Sequence, residues 1–457
     1  MSRLFSSSPR LARMQLVLLS ALLLAVAGIA AAGAPAEERS LPNGLRIIVQ
    51  EDHRAPVVMV QVWYRVGATH EPPGLTGISH VLEHMMFKGT PDVGPGELAR
   101  LVSRFGGDHN AFTSAHYTGY YQYYDKSRLP LAMALEADRM RHLVIDENEF
   151  RKEIEVVREE RRMRVEDNPT STAWEKMRAV AHLGSPSGQP VIGWPQDLDN
   201  ITVTHLRDWY DTWYAPNNAI LVVVGDVVAA EVFQLAERQF GSLKSRRIPP
   251  ATLPRTPEDP GLREMTLPVN TRVPTLAMSW NVPSLATADN SNDPWALAVL
   301  AGVLDGGMSA RMEKELVRKR KVAASVGAGY NALDRGDTLF NLSIVPANGK
   351  TLDDVRKAAR EIIAGLRDKP PAADEMARVK AGVVAAMVYQ QDSLSGQANL
   401  IGALASMGFD WRLKDQWADN IRKVTAADVQ RVARTWLVDE RLTVARIVPA
   451  ESAAKGR

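Results

Sequence analysis

An α+β fold made of two similar halves is what the sequence predicts, and three observations predict it. β-rich runs and amphipathic helical stretches are interspersed without a strict strand–helix–strand alternation. A helix-then-strand pattern occurs twice, as ITVTHLRDWYDTWYAPNNAILVVV (201–224) and VTAADVQRVARTWLVDERLTVARI (424–447), at an offset of 223. Between the two copies, SRRIPPATLPRTPEDPG (245–261) holds five prolines in seventeen residues, which can continue neither a helix nor a strand.

The elements follow in order from local chemistry. Arg3, Arg10 and Arg13 precede an apolar run from Leu16 to Ala34 with small residues at its end, the pattern of an export signal spanning 1–36. Cleavage after Ala32, Ala34 or Ala36 fits this pattern; an uncleaved membrane anchor is the alternative, because the run is nearly long enough to span a bilayer. The chain is therefore expected to be exported to the periplasm, and to stay membrane-anchored if the leader is kept.

Asn43-Gly44 marks a turn before a β-rich run, and 57–66 (VVMVQVWYRV) reads as a second strand. YTGYYQYY (117–124) reads as another strand, 129–144 as an amphipathic helix and 149–166 as a long charged helix. Thr202 and Thr425 start the repeated helices, and Trp213 and Trp436 end them. A weaker echo links 54–66 to 272–283. The expected organisation is a first domain over 37–244, a linker over 245–261, a homologous domain over 262–452 and a short tail over 453–457.

Composition narrows the function. Basic and acidic residues nearly cancel, 55 against 53, which argues against a nucleic-acid binder or a disordered chain. The chain has no cysteine, so an exported form has no disulfides and any metal must be held by His, Asp or Glu. All nine histidines lie at or before His205, which confines a histidine-dependent site to the first half.

HVLEHMMFKGT (80–90) carries the chemistry. On a helix, His80 and His84 project from one face a turn apart, the spacing at which two imidazoles can share a zinc ion, and Glu83 lies beside them. The imidazoles would hold the ion while Glu83 takes a proton from water at the metal, the logic of an H-x-x-E-H metallopeptidase motif. A structural histidine pair is the plain alternative. A catalytic zinc also needs a third protein ligand. The helix at 149–166 offers six glutamates, of which Glu153 and Glu160 share a face with Val156 and Val157, whereas Glu155 and Glu159 point elsewhere, toward surface salt bridges.

HVLEHMMFKGT, GGDHNAFTSAHYTGYY (106–121) and FRKEIEVVREE (150–160) together resemble the pitrilysin, or insulinase-like, zinc peptidases. The resemblance extends over the mature chain, about 420 residues. It implies two homologous domains, each a mostly antiparallel sheet with helices packed on it, forming half of a clamshell. It further implies one zinc ion held by His80, His84 and Glu160, with Glu83 as catalytic base and Glu153 supporting the site. Asn110, Ala111, Phe112 and Thr113 match the family's edge strand, whose backbone pairs with extended substrate; an ordinary buried strand is equally open. His109 and His116 read as local hydrogen-bonding residues.

In the second half, DGGMSARMEKELVRKRK (305–321) is similar to the family's helix in which Arg318 would help hold substrate near the metal. Seven residues later the family's active members have tyrosine, but this chain has Ser325, and Tyr330 comes five residues too late. The resemblance therefore implies the zinc-bearing member of a heterodimer, whose homologous partner carries the arginine and tyrosine pair, with a homodimer as the second possibility. The expected reaction is endopeptidase hydrolysis of peptides or small unfolded segments inside a chamber; a non-catalytic binding or assembly subunit is the alternative.

Overall fold

The computed structural model describes residues 35–250, 252–257 and 260–450. The export signal expected at 1–36 lies almost entirely outside them, as does the 453–457 tail. Eleven strands form two sheets. The first contains β1 (Glu37–Ser40), β2 (Arg46–Glu51), β3 (Val57–Tyr64), β4 (Asp108–Thr113), β5 (Thr118–Asp125) and β6 (Ala219–Gly225), in the order β1-β2-β6-β3-β5-β4. The second contains β7 (Arg263–Val269), β8 (Thr275–Val282), β9 (Ala323–Tyr330), β10 (Thr338–Pro346) and β11 (Leu442–Pro449), in the order β7-β11-β8-β10-β9. Leaving out β1, the two orders are the same when β2, β6, β3, β5 and β4 are set against β7, β11, β8, β10 and β9. The pairing sense matches as well: β2 with β6 and β7 with β11 are parallel, and all other pairs are antiparallel. The fold is α+β with two domains.

Strand alternation divides β3 between two cores. Val58, Val60, Val62 and Tyr64 face the main core of the first domain, whereas Met59 and Trp63 point through the other face. Four helices position the site and the join between domains: α1 (Ile78–Met85), α2 (Glu147–Arg161), α3 (Pro169–Ala181) and α4 (Leu394–Ser406). The second face of each sheet is covered by a helix that the other part of the chain supplies. On the first sheet, α4 sets Ala398, Ile401, Leu404 and Ala405 against Ile48, Trp63, Ile220, Val222 and Val224. On the second, α3 sets Ala173 and Met177 against Val269, Ala277, Ala445 and Ile447. Both sheets are thus buried on both sides by apolar contact.

This exchange depends on close approach at one point. A Cβ on Gly402 would lie 2.1 Å from Trp63 Cε2. Trp63 cannot yield, being 1% exposed and donating from Nε1 to Gln61 at 2.9 Å, while Gln61 in turn donates to Asn399 at 2.8 Å. Gly402→Ala is expected to destabilise the protein by about 1–3 kcal/mol despite alanine's better helix propensity. A melting temperature equal to or above that of the unsubstituted chain would show that α4 does not sit there.

Between the domains, residues 245–250, 252–257 and 260–261 form no helix or strand. Their path is fixed by Asp337, which accepts from Thr256 N at 2.8 Å. Among the described residues no helix is long and apolar enough to cross a membrane.

Candidate metal centre

Helix α1 is short, and its start is set by residues distant in sequence. Gly77 occupies the N-cap with φ 89°, a conformation that favours glycine, and a Cβ there would lie 2.8 Å from Ile192 O. No side chain at the cap receives the helix's free N–H groups. The buried carboxylate of Glu71 does so instead, accepting from Gly77 N at 2.7 Å and Ser79 N at 2.9 Å. Asp197 binds the preceding Thr76 through both its N–H and its hydroxyl. The helix that carries His80, Glu83 and His84 is therefore held at its N-terminus by two carboxylates.

Helix α2 starts at Asp146, whose side chain accepts from Asn148 N and Glu149 N. It runs past α1 so that Glu153 and Glu160, two turns apart, both face the histidines. Phe150, Ile154 and Val157 share the buried side. Val156 does not share it, contrary to the helical-face reading: it is 47% exposed and lines the cavity in front of the site. That side of α2 borders open space, so apolar character there does not mark the interior. The long charged helix also ends earlier than expected, with a π-helical turn over Arg162–Glu166 before the chain reverses into α3.

Three ligand atoms converge. His84 Nε2 lies 3.3 Å and His80 Nε2 3.6 Å from Glu160 Oε2, and the donor atoms of His80, His84 and Glu160 all fall within 4.8 Å of one another. Zinc bonds of about 2.0–2.1 Å in tetrahedral array require ligand separations of about 3.3–3.4 Å, so two imidazoles and a carboxylate at these spacings fit that ion. Glu160 Oε2 is buried and accepts no hydrogen bond of good geometry, an atom aimed at something not made of protein. Its companion Oε1 pairs with Arg164 at 2.6 Å.

The surrounding groups orient the ligands. His84 Nδ1 donates to Glu153 Oε2 at 3.1 Å, and Lys88 pairs with Glu153 Oε1, the carboxylate–histidine arrangement that fixes a metal-binding imidazole. Burial disfavours a charge on His84, but Glu153 and Glu160 overcome it and raise its pKa to about 9. His80 goes the other way, to about 4, through burial and repulsion from His84. A dication held here would need His84 in its neutral form, and so would displace a proton from it. Glu83, 8% exposed, accepts from Thr113 Oγ1 at 2.5 Å, and no other hydrogen bond reaches its carboxylate among the described residues. Burial pushes the Glu83 carboxyl up, partly offset by that hydroxyl.

Asn110, Ala111, Phe112 and Thr113 lie on β4, the outermost strand of the first sheet, and all four line the cavity. Its other edge is paired with β5, while Phe112 turns back to pack edge-on against Trp63 at 4.8 Å. Glu155 and Glu159 pair with Arg158 and Arg162 and do not approach the histidines. His116 hydrogen-bonds Asp334 at 2.6 Å and Thr69 at 3.1 Å. His109 does not behave that way: its Nδ1 is buried without a partner and the ring packs on Phe87. Arg318 is not brought to the metal centre within this chain; it sits exposed on the turn Glu313–Lys319, bonded to the Met308 carbonyl. Ser325 and Tyr330 both fall on β9, and the Tyr330 hydroxyl is occupied by Pro283 O at 2.7 Å.

Sequence reasoning missed Glu71, Lys88 and Arg164. Arg164 stands four residues after Glu160, the group it pairs with, a spacing that could have been read, whereas Lys88 pairs with Glu153 on another helix. Glu71 has no such local signal.

Residues 46–188 match the family described as Insulinase (Peptidase family M16), and residues 200–383 match the Peptidase M16 inactive domain. The chain belongs to peptidase family M16. Among its M16 relatives is the zinc protease PqqE of Helicobacter pylori, 29% identical over 420 residues, covering 90% of this chain and 93% of that one. A crystal structure of a protease from Helicobacter pylori superposes with a TM-score of 0.85 at 27% identity, over 91% of this chain and all of that one. The periplasmic protease PqqL of Escherichia coli has the same fold, with a TM-score of 0.77 at 19% identity, over 93% of this chain but 49% of that chain. That longer chain thus contains this two-domain fold in about half its length.

Proposed function

We propose that the protein is a zinc-dependent endopeptidase that hydrolyses peptides or small unfolded polypeptides in a chamber completed by a second, homologous chain. The observation that carries this reading is the convergence of His80 Nε2, His84 Nε2 and Glu160 Oε2 beside the buried Glu83 carboxylate. When bound, zinc would act as a Lewis acid toward water and the scissile carbonyl. Glu83 has one oxygen held by Thr113 and the other free, so it takes the proton of the attacking water and passes it to the leaving amine. Glu153 keeps His84 in the tautomer that presents Nε2. An extended peptide would pair with the free edge of β4, whose backbone leads to Thr113 and hence to Glu83.

In this reading residues 37–244 form the catalytic domain and 262–452 its homologue, joined by 245–261, and the leader at 1–36 directs the chain to the periplasm. The inactive-domain match falls on 200–383, away from His80, Glu83, His84 and Glu160. The missing tyrosine at Ser325 favours a heterodimer, and the double length of PqqL supports the pairing of two such halves. The test combines metal analysis with a peptide cleavage assay, on the full chain alone and with a homologous chain that has the arginine and tyrosine pair. One zinc per chain, and cleavage that rises on adding the partner, is the expected result. A chain that binds no zinc sinks the proposal.

A further inference from the structure

The cavity in front of the metal centre has a volume of about 1460 Å³ and reaches from α1 and α2 to the second sheet. Its carboxylates are nearly all matched: Glu155 with Arg158, Glu159 with Arg162, Glu160 with Arg164, Glu175 with Arg161 and Asp334 with His116. Of the two arginines lining it, Arg164 is paired, whereas Arg178 has no carboxylate within ion-pair distance among the described residues. Arg178 projects from α3, one turn after Trp174 on the same face of the helix, and both line the cavity.

Arg178 is built in place. Its Nε donates to the carbonyl of the buried Ser187 at 2.9 Å, which fixes the plane of the guanidinium and leaves both terminal nitrogens without an acceptor among the described residues. It is exposed to solvent within the cavity, yet the protein around it pulls its pKa down from the usual arginine value by desolvation, with Asp334 opposing. His182 stands one turn further along the chain, 4% exposed, lining the same cavity, with a buried Nδ1 that has no partner. Burial and the charge of Arg178 bring its pKa to about 4, so it is a neutral imidazole at neutral pH. Asn341, from β10, lines the same cavity.

We propose that Arg178, with His182 one turn further along the chain, is a subsite that recognises a carboxylate on the bound peptide, either an acidic side chain or the C-terminal carboxylate. A guanidinium with one nitrogen tied back and two free presents the fork that a carboxylate accepts bidentately. The subsite gives the enzyme a preference that the edge strand cannot supply, because β4 offers backbone groups that read no side chain. This rests on the peptidase reading above.

The test is equilibrium binding to the full chain carrying Glu83→Gln, which slows turnover. The probes are four fluorescein-labelled peptides of one sequence, with Glu or Gln at an internal position and a free or amidated C-terminus. One or both carboxylates should improve binding by about ten- to a hundredfold, and the responding pair of peptides identifies which carboxylate is read. Adding Arg178→Gln should bring all four to the affinity of the neutral peptide, and Arg178→Lys, which keeps the charge but not the fork, should retain only part of the selectivity. If Arg178→Gln does not fold, the lysine variant alone decides, and selectivity unchanged in it overturns the subsite. Equal binding of all four peptides by the chain with Arg178 intact also overturns the subsite, while leaving the peptidase reading standing. Binding of none of them removes the peptide reading and the subsite together.

Discussion

Glu83→Gln is expected to bind one zinc per chain and to hydrolyse peptides about 10²–10⁴-fold more slowly than the unsubstituted protein, the range that a general base contributes. Glutamine has nearly the same shape and its amide oxygen can still accept the Thr113 hydroxyl, so the packing around α1 survives. Glu83 lies outside the convergent group of His80, His84 and Glu160, so the ion's holders are untouched. What is lost is the free oxygen that can take a proton. The decisive comparison is zinc content against kcat in the same preparation. Loss of metal along with activity would make Glu83 a ligand or a structural group and would remove the catalytic assignment.

The second large effect separates neighbouring glutamates on one helix. Glu160→Gln should weaken zinc binding by more than the about 10–100-fold typical of substituting an outer partner of a metal ligand, because a charged oxygen leaves the convergent group itself. Glu159→Gln should change it by no more than a few fold, since that side chain is exposed and paired with Arg162. Titration with zinc under a competing chelator measures both. Equal effects from the two would mean that α2 presents a different face to α1 in solution.

The motif was legible because its three residues sit on one turn of helix, where spacing alone fixes relative position. Glu153 and Glu160 were legible for the same reason, with the family resemblance choosing Glu160 as the ligand. The reading failed where position depends on space across the fold. Val156 carries an apolar side chain but faces the cavity, and no helical period can distinguish a cavity from a core. Glu71, six residues ahead of Gly77, caps α1 through a loop whose path is set by Asp197 and by the Gly77–Gly193 contact, all of them tertiary. Thr113 was assigned to substrate through its backbone, and its hydroxyl's bond to Glu83 depends on how β4 lies against α1. The two-domain order was visible in the 223-residue repeat, but nothing in LSGQANLIGALAS (394–406) says which sheet it covers.

The exchanged helices tie the half with no histidines to the half that holds His80 and His84. The apolar underside of the first sheet, with Ile48, Trp63 and Val222, is roofed by α4, so the downstream half is part of the upstream half's own interior. Removing the downstream half would bare Ile48, Trp63 and Val222 to water, so the two halves stand or fall as one folded unit.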